Sequence, residues 1–324
     1  MLECATPLEE PQSAAAVLMV RPARFAFNPE TAPSNSFQTP HAESDGAEAA
    51  PSAVQSLALR EFDALTLNLE RLGVTVIVAE DTEAPAKPDA LFPNNWVSFH
   101  RDGTVVLYPM LARNRRSERR EEVIRQVTAL GMYRIIRTVD LSYRELDGKF
   151  LEGTGSLVLD RTARVAYVNL SPRTDLDVLG EFAQQLDYEP VTFEAFDGAG
   201  NAVYHTNVLM AIGAAFAVVC GAAITESRHR EAVYSKLEAS GHEIIEISLA
   251  QMASFAGNLL ELAPAAGGKV VALSTTAWRS LDAKQRKILE KHGTVLAADI
   301  PVIERYGGGG VRCMLTEIHL PKRL

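Results

Sequence analysis

The feature that most constrains this chain is a unit that recurs along it. Two short apolar strands are joined by a turn, an amphipathic helix follows, and a third strand closes the unit. The clearest copy begins at Trp96. Its strand WVSFH turns at Arg101-Asp102-Gly103 into TVVLYPM, a charged helix runs from about Arg116 to Leu130 and stops at Gly131, and YRIIRTV follows. The next copy has SLVLD, RVAYVNL, a helix from about Asp175 to Leu186, and PVTFEAF. A third has NVLMAIG, AFAVVCGAAI, a helix Glu226–Ser240 and EIIEIS; a fourth has NLLELAP, KVVALST, a helix Leu281–His292 and TVLAAD. The two ends supply a fifth: VLMVRP, a helix Gln55–Leu72 and VTVIVAE from the start, and RCMLTEIHL from the far end. Repeats whose last unit completes the first close into rings. The expected fold is therefore α/β, a five-bladed propeller of ββαβ units with pseudo-five-fold symmetry, spanning 1–324 as one domain. Residues 1–16 read as a flexible tail, and 28–52, rich in Pro, Ala, Ser and acids, as a mobile loop or lid.

One position repeats with the unit. At or just before the first strand stands a polar residue among apolar neighbours: Asn95 in FPNNW, Glu152 in FLEGTG, His205 in VYHTNV, Asn258 in FAGNLL and Cys313 in GVRCML. The spacings are 57, 53, 53 and 55 residues. Equivalent positions of a closed ring face one another across its axis, so these five should meet in one pocket. Alone, a cysteine at a strand start or a single histidine is usually structural. Together, Cys, His and Glu form a nucleophile, a proton carrier and a carboxylate that orients and charges the imidazole. Gly307–Gly310, a run of four glycines just before Cys313, lets backbone approach a ligand closely.

Composition narrows the class. The net charge of −9 argues against nucleic-acid binding. The basic stretch Arg113–Arg120 is interrupted by Glu118 and followed by Glu121 and Glu122, and reads as a solvated helix start. The first residues lack the basic start of a secretion signal, and the apolar run Ala14–Val20 is too short to span a bilayer, so no membrane partner is expected. Cys4, Cys220 and Cys313 lie far apart without a CxxC, which suits a reduced, cytoplasmic protein with no metal site.

The motifs FLEGTGSLV, YHTNVLM and GGGGVRCML, in that order, resemble the pentein (amidinotransferase and arginine deiminase) superfamily. The opening MVRPARFAFNPETAPSNSFQ and the FPNNW motif are similar to those of bacterial citrulline-utilisation hydrolases. The resemblance implies a five-bladed propeller without a cofactor, in which the Cys313 thiolate attacks a guanidino or ureido carbon of a small arginine- or citrulline-like substrate. His205 would then shuttle protons and Glu152 would support it. Relatives that use arginine usually bind the guanidinium with aspartates where this chain has Asn95 and Asn207. His205 and Asn207, two apart on what reads as an extended segment, should face the same side. A guanidinium prefers carboxylates, whereas amides both donate and accept and suit a neutral ureido group, so the pattern leans to a citrulline-like substrate. Asn258 completes the polar ring. Asn35 and Gln38 of the lid, and Arg113 after the second strand, are candidates for holding a substrate carboxylate, while Arg312 should point away from the site. Amidinotransferase or arginine-deiminase-type activity, and a non-catalytic propeller of the ribosome anti-association type, are the alternatives; a papain-type protease is disfavoured because its cysteine precedes its histidine. Homo-oligomerisation is left open.

Overall fold

A computed structural model describes residues 10–40 and 51–323. Among the described residues it contains five three-stranded sheets of one topology, each with a central strand antiparallel to one edge strand and parallel to the strand after the helix. This is the five-bladed α/β propeller expected from the repeat. The ring closes as the sequence required: Thr316–Glu317 pairs antiparallel with Ala16–Arg21, in the register Val17 opposite Glu317, and Ala16–Arg21 runs parallel to Thr75–Glu80. Central strands such as Val165–Asn169 and Phe216–Val219 are buried along their whole length. Burial on both faces is why they read as continuous apolar runs and not as alternating ones.

The helices lie outside and bury one stripe each. Pro51–Arg71 turns Val54, Ala58, Phe62, Leu65 and Leu69 inward, a spacing of three and four. Burying each of the large ones contributes about 1.5–3 kcal/mol. This helix is described from Pro51, ahead of the expected Gln55.

Three expectations need correction. Residues 10–16 are not a free tail: Glu10, only 5% exposed, pairs with Arg161 at 2.7 Å and Arg164 at 2.9 Å, and Gln12 donates to the Leu159 and Ile212 carbonyls. The segment thus braces several blades on the face away from the site; residues 1–9, with Cys4, lie outside the described residues. The basic stretch is not a solvated helix start. Arg113–Glu118 is a 3₁₀ turn, the helix proper is Glu121–Leu130, and Arg115 is 2% exposed, while Arg116 and Arg119 donate to the Met110 and Tyr108 carbonyls. Inward-facing carbonyls at the strand ends draw these guanidinium groups off the surface. Finally, the expected lid 28–52 runs too far, since 51 and 52 belong to the helix Pro51–Arg71; residues 28–40 run irregularly, as expected of a loop, with one 3₁₀ turn at Ala32–Ser34, and pack on the site, while 41–50 lie outside the described residues. Among the described residues, no helix is long and apolar enough to cross a membrane.

Candidate functional site

The polar residues of the repeat are not on extended strands. Four of them sit in or cap single tight turns that the chain makes before entering the inner strand: Pro93–Asn95, Gly153–Ser156 capped by Glu152, Thr206–Leu209 capped by His205, and Val311–Met314 around Cys313; Asn258 lies in irregular chain just before Leu260–Leu262. The expectation that His205 and Asn207 face one side because the segment is extended is therefore wrong. Only His205 is extended, at φ −134° and ψ 144°, and a helical turn follows it. A chain that runs in towards the axis and out again has room only for such a turn. Gly153 makes one of them possible, with φ +45° and with the Asn94 carbonyl against the place where a Cβ would stand.

The turns are tied to one another around the axis. Thr154 Oγ1 donates to the Asn94 carbonyl, Asn207 Nδ2 to the Thr154 carbonyl, and Asn258 Nδ2 to the Asn207 carbonyl at 2.9 Å. Asn258 Nδ2 also lies 3.2 Å from Cys313 Sγ, and Asn207 Nδ2 lies 3.6 Å from it. Both amides thus stand beside the sulfur, and Asn258 Oδ1 is left without a partner. Across the ring, His205 Nε2 and Glu152 Oε2 are 2.9 Å apart. All five repeat residues are buried at 3% exposure or less.

A small pocket opens between the two groups, lined by Cys313, His205, Asn95 and Gly307–Gly309 together with Thr31, Asn35, Asp89, Phe92, Arg115, Arg173 and Tyr204. Of the substrate-binding candidates, Asn95 and Asn35 line it. Arg113 does not: it is exposed, and Arg115, two residues on, enters the pocket. Arg312 points away, towards Glu317 at 2.9 Å, as expected. Gln38 reaches the Tyr306 carbonyl and so fastens the segment 28–40 to the glycine loop.

Asp89, Arg115, Arg173 and Tyr204 were missed. Both arginines follow the second strand of their unit, at the same end of the ring, and that shared placement was the available signal. Asp89 lies outside the repeat position, so nothing in the periodicity marks it.

Arg115 forks onto Glu118 at 3.0 and 2.9 Å and donates from Nη1 to Asn95 Oδ1 at 2.8 Å. A guanidinium only donates, so this bond fixes the Asn95 amide with its oxygen towards Arg115. Its Nδ2 is buried and unpartnered, beside His205 Nδ1 above Gly155, where an added Cβ would meet the two nitrogens at 2.5 and 2.7 Å. Asp89 accepts from Asn28 and Thr31 on Oδ2, at 2.7 and 3.2 Å, and its Oδ1 is buried and unpartnered. Arg173 bridges Glu152 (3.3 Å) to Ser34 and the Thr31 carbonyl, with its guanidinium 4.8 Å from the centre of the Tyr204 ring.

Burial opposes charge throughout the site. It raises the Cys313 thiol above its usual value against the help of Asn258 and Arg312, and it lowers His205 to about 4 against the pull of Glu152. Burial also works against the Glu152 carboxylate, but Arg173, His205 and Arg115 outweigh it and hold the group well below the ordinary carboxylate range. At neutral pH the site therefore rests as thiol, neutral imidazole and carboxylate. With Nε2–H given to Glu152, His205 Nδ1 presents its lone pair. Among the described residues, no cluster of three or more His, Cys, Asp or Glu side chains could hold a metal ion.

Comparison with solved structures supports the architecture. The N-terminal domain of ArgZ, in a cysteine-to-serine variant bound to substrate and described as an arginine dihydrolase of the cyanobacterial ornithine–ammonia cycle, superposes with a TM-score of 0.69 at 16% identity, over 94% of this chain and 99% of that one. Unliganded AgrE gives 0.71 at 19% identity over 95% of this chain and 40% of that longer chain. A dimethylarginine dimethylaminohydrolase adduct with 4-chloro-2-hydroxymethylpyridine gives 0.63 at 15% over 94% and 100%. Comparison with curated protein sequences gives no significant match. The family model for eukaryotic N,N-dimethylarginine dimethylhydrolase matches residues 21–320. The chain thus belongs to that family of the pentein superfamily, and it is a hydrolase of carbon–nitrogen bonds other than peptide bonds.

Proposed function

We propose that this protein hydrolyses the ureido group of a small citrulline-like amino acid, with Cys313 as nucleophile, His205 as proton carrier and Glu152 as the carboxylate that orients His205. One observation carries the substrate reading. Arg115 turns the Asn95 amide so that a donor, not an acceptor, is left free, while Asp89 Oδ1 is a free acceptor. A ureido head group matches this pair: its carbonyl accepts from Asn95 Nδ2 and an N–H donates to Asp89 Oδ1. A guanidinium carries only donors and would leave the Asn95 donor facing an N–H.

As Cys313 Sγ attacks the planar carbon, its proton passes to His205 Nδ1. The tetrahedral adduct collapses as His205 returns that proton to the departing nitrogen, leaving a carbamoyl group on sulfur. His205 then takes a proton from water, the oxygen adds to the carbamoyl carbon, and the proton goes back to sulfur as the carbon–sulfur bond breaks. The carbamate released decomposes, so amine, ammonia and carbon dioxide are the final products. Glu152 stabilises the imidazolium formed in each half. Asn207 and Asn258 orient the sulfur, and Arg115 and Arg173 supply positive charge for a substrate carboxylate. The thiol chemistry suits a reducing, cytoplasmic setting.

A second reading has one observation in its favour: the buried Asp89 carboxylate could take a guanidinium, as an arginine hydrolase would require. Ammonia and ornithine release from citrulline and from arginine, measured on the same enzyme, decide between them. A higher kcat/KM for arginine would refute the ureido reading.

A further inference from the structure

The glycine wall of the pocket, Gly307–Gly309, is carried by a helix that is capped from a distance. That helix, Pro301–Gly307, begins after Ile300, whose side chain makes no capping bond. Glu61, on the helix Pro51–Arg71, takes the role: its Oε1 accepts from the Val302 N–H and its Oε2 from the Ile303 N–H, both at 2.9 Å. These are two of the N–H groups that the first turn of a helix leaves without an internal partner. Ile303 and Tyr306 pack in one apolar cluster with Phe62 and Leu65, the neighbours of Glu61 on its own helix. At the other end, the Gly308 N–H closes on the Glu304 carbonyl, the Gly308 carbonyl accepts from the Tyr204 hydroxyl, and a Cβ on Gly309 would stand 3.2 Å from Cys313 Cβ. About two helical turns thus link Glu61 to the backbone that rests against the nucleophile.

We infer that Glu61 is a positioning residue, whose two bonds to the start of Pro301–Gly307 set how closely the glycine run is held against Cys313. The grip depends on the form of the carboxyl group. A carboxylate accepts at both oxygens, whereas protonation turns one of them into a donor and leaves one of the two N–H groups without a good acceptor. Burial raises the Glu61 carboxyl to about 7 against the two backbone donors that lower it, and Asp299 before the helix and Glu304 within it raise it further. Glu304 is itself buried and accepts from Thr276 Oγ1 at 2.6 Å. On the helix of Glu61, Arg60 and Asp63 are exposed, and Asp63 pairs with Arg21. Both forms of Glu61 are therefore populated near neutral pH, and the grip tightens as pH rises through that region. The effect on turnover rests on the reading of Cys313 as nucleophile; the effect on the wall does not.

The test uses the full-length enzyme and Glu61→Gln, which keeps the size of the side chain and one acceptor but never both. Iodoacetamide is the probe, with the modification of Cys313 followed by mass spectrometry of its peptide. At about pH 8.5 the variant should be alkylated at Cys313 about tenfold faster than wild type, the worth of one hydrogen bond to a charged group. At about pH 6, where most of the wild-type Glu61 is protonated, the ratio should fall towards one; taking the ratio removes the ionisation of the thiol itself. Cys220, in the apolar core, should stay unmodified in both proteins. In turnover, wild-type kcat/KM should step down by about tenfold as pH falls through neutrality, and Glu61→Gln should stay at the lower level throughout. A merely structural role would expose Cys220 together with Cys313 and leave the ratio independent of pH. If the wild type turns over neither citrulline nor arginine, or Cys313→Ser stays active, the proposed function fails and the alkylation ratio alone decides the inference. A Cys313 rate unchanged in the variant, a ratio that does not vary with pH, or a step in kcat/KM that persists in Glu61→Gln overturns it.

Discussion

Changing Asn95 to Asp converts a free donor of the pocket into an acceptor, and the consequences can be worked from the geometry. The side chain keeps its place, because Arg115 Nη1, 2.8 Å from Asn95 Oδ1, would hold one oxygen of the new carboxylate even more firmly. The other oxygen replaces Nδ2 beside His205. A ureido carbonyl then faces an acceptor, losing its hydrogen bond and meeting negative charge, a cost of about 1–3 kcal/mol for a buried polar group left unpaired. A guanidinium gains a charge-assisted hydrogen bond of about 1.5–3 kcal/mol. The two effects add in the ratio of specificity constants, so the citrulline-to-arginine preference should fall by at least about 60-fold. Using the ratio removes any general effect of the extra charge on His205 or Glu152, since both substrates feel it. The assay is competition between citrulline and arginine on wild type and Asn95→Asp, with ornithine and ammonia both quantified. A wild type that already prefers arginine, or a variant whose ratio stays within about threefold of wild type, refutes the claim that Arg115 sets the Asn95 amide for a carbonyl.

Three further outcomes are expected. Cys313→Ser should lower turnover by at least about 10³-fold while the fold persists, and a thiol-reactive substrate analogue should label Cys313, which lines the pocket, and spare Cys220, which lies in the apolar core; mass spectrometry of the labelled protein checks both. Gly155→Ala places a methyl group 2.5 Å from Asn95 Nδ2 and 2.7 Å from His205 Nδ1, so it should cost about 10²-fold or more in kcat through a misplaced imidazole, and a wild-type pH–rate profile would argue that this contact relaxes harmlessly. Acid should destabilise the protein early: burial, against the attraction of Glu10, lowers His100 to about 3, so below pH 6.5 the unfolded chain binds a proton that the native state refuses. That contribution is fully present above pH 6.5 and is lost as pH falls towards 3. Thermal melts across this window should show a shallower slope for His100→Gln than for wild type, and equal slopes would exclude His100 as a source.

The sequence by itself determined the ring. Five apolar–turn–apolar–helix–apolar units, with the last strand supplied from the C-terminal end, leave closure as the only way to pair Thr316–Glu317 with Ala16–Arg21, and closure brings Asn95, Glu152, His205, Asn258 and Cys313 together from spacings near one repeat length. That much is legible because hydrophobic periodicity and repeat length are local properties of a chain. What the periodicity could not show is whatever approaches the axis from outside the repeat. Asp89, Arg115 and Arg173 enter the pocket from irregular connections, whose side-chain directions are set by their partners in space and not by neighbours in sequence; that is why the sequence points to Arg113 where Arg115 stands. The extended reading around His205 failed for a related reason, since crowding at the axis folds most of the approaches, this one included, into a single turn. The orientation of the Asn95 amide is the clearest case. An asparagine in sequence is both donor and acceptor, and only the guanidinium of Arg115, fixed by Glu118, decides which half of it a substrate meets.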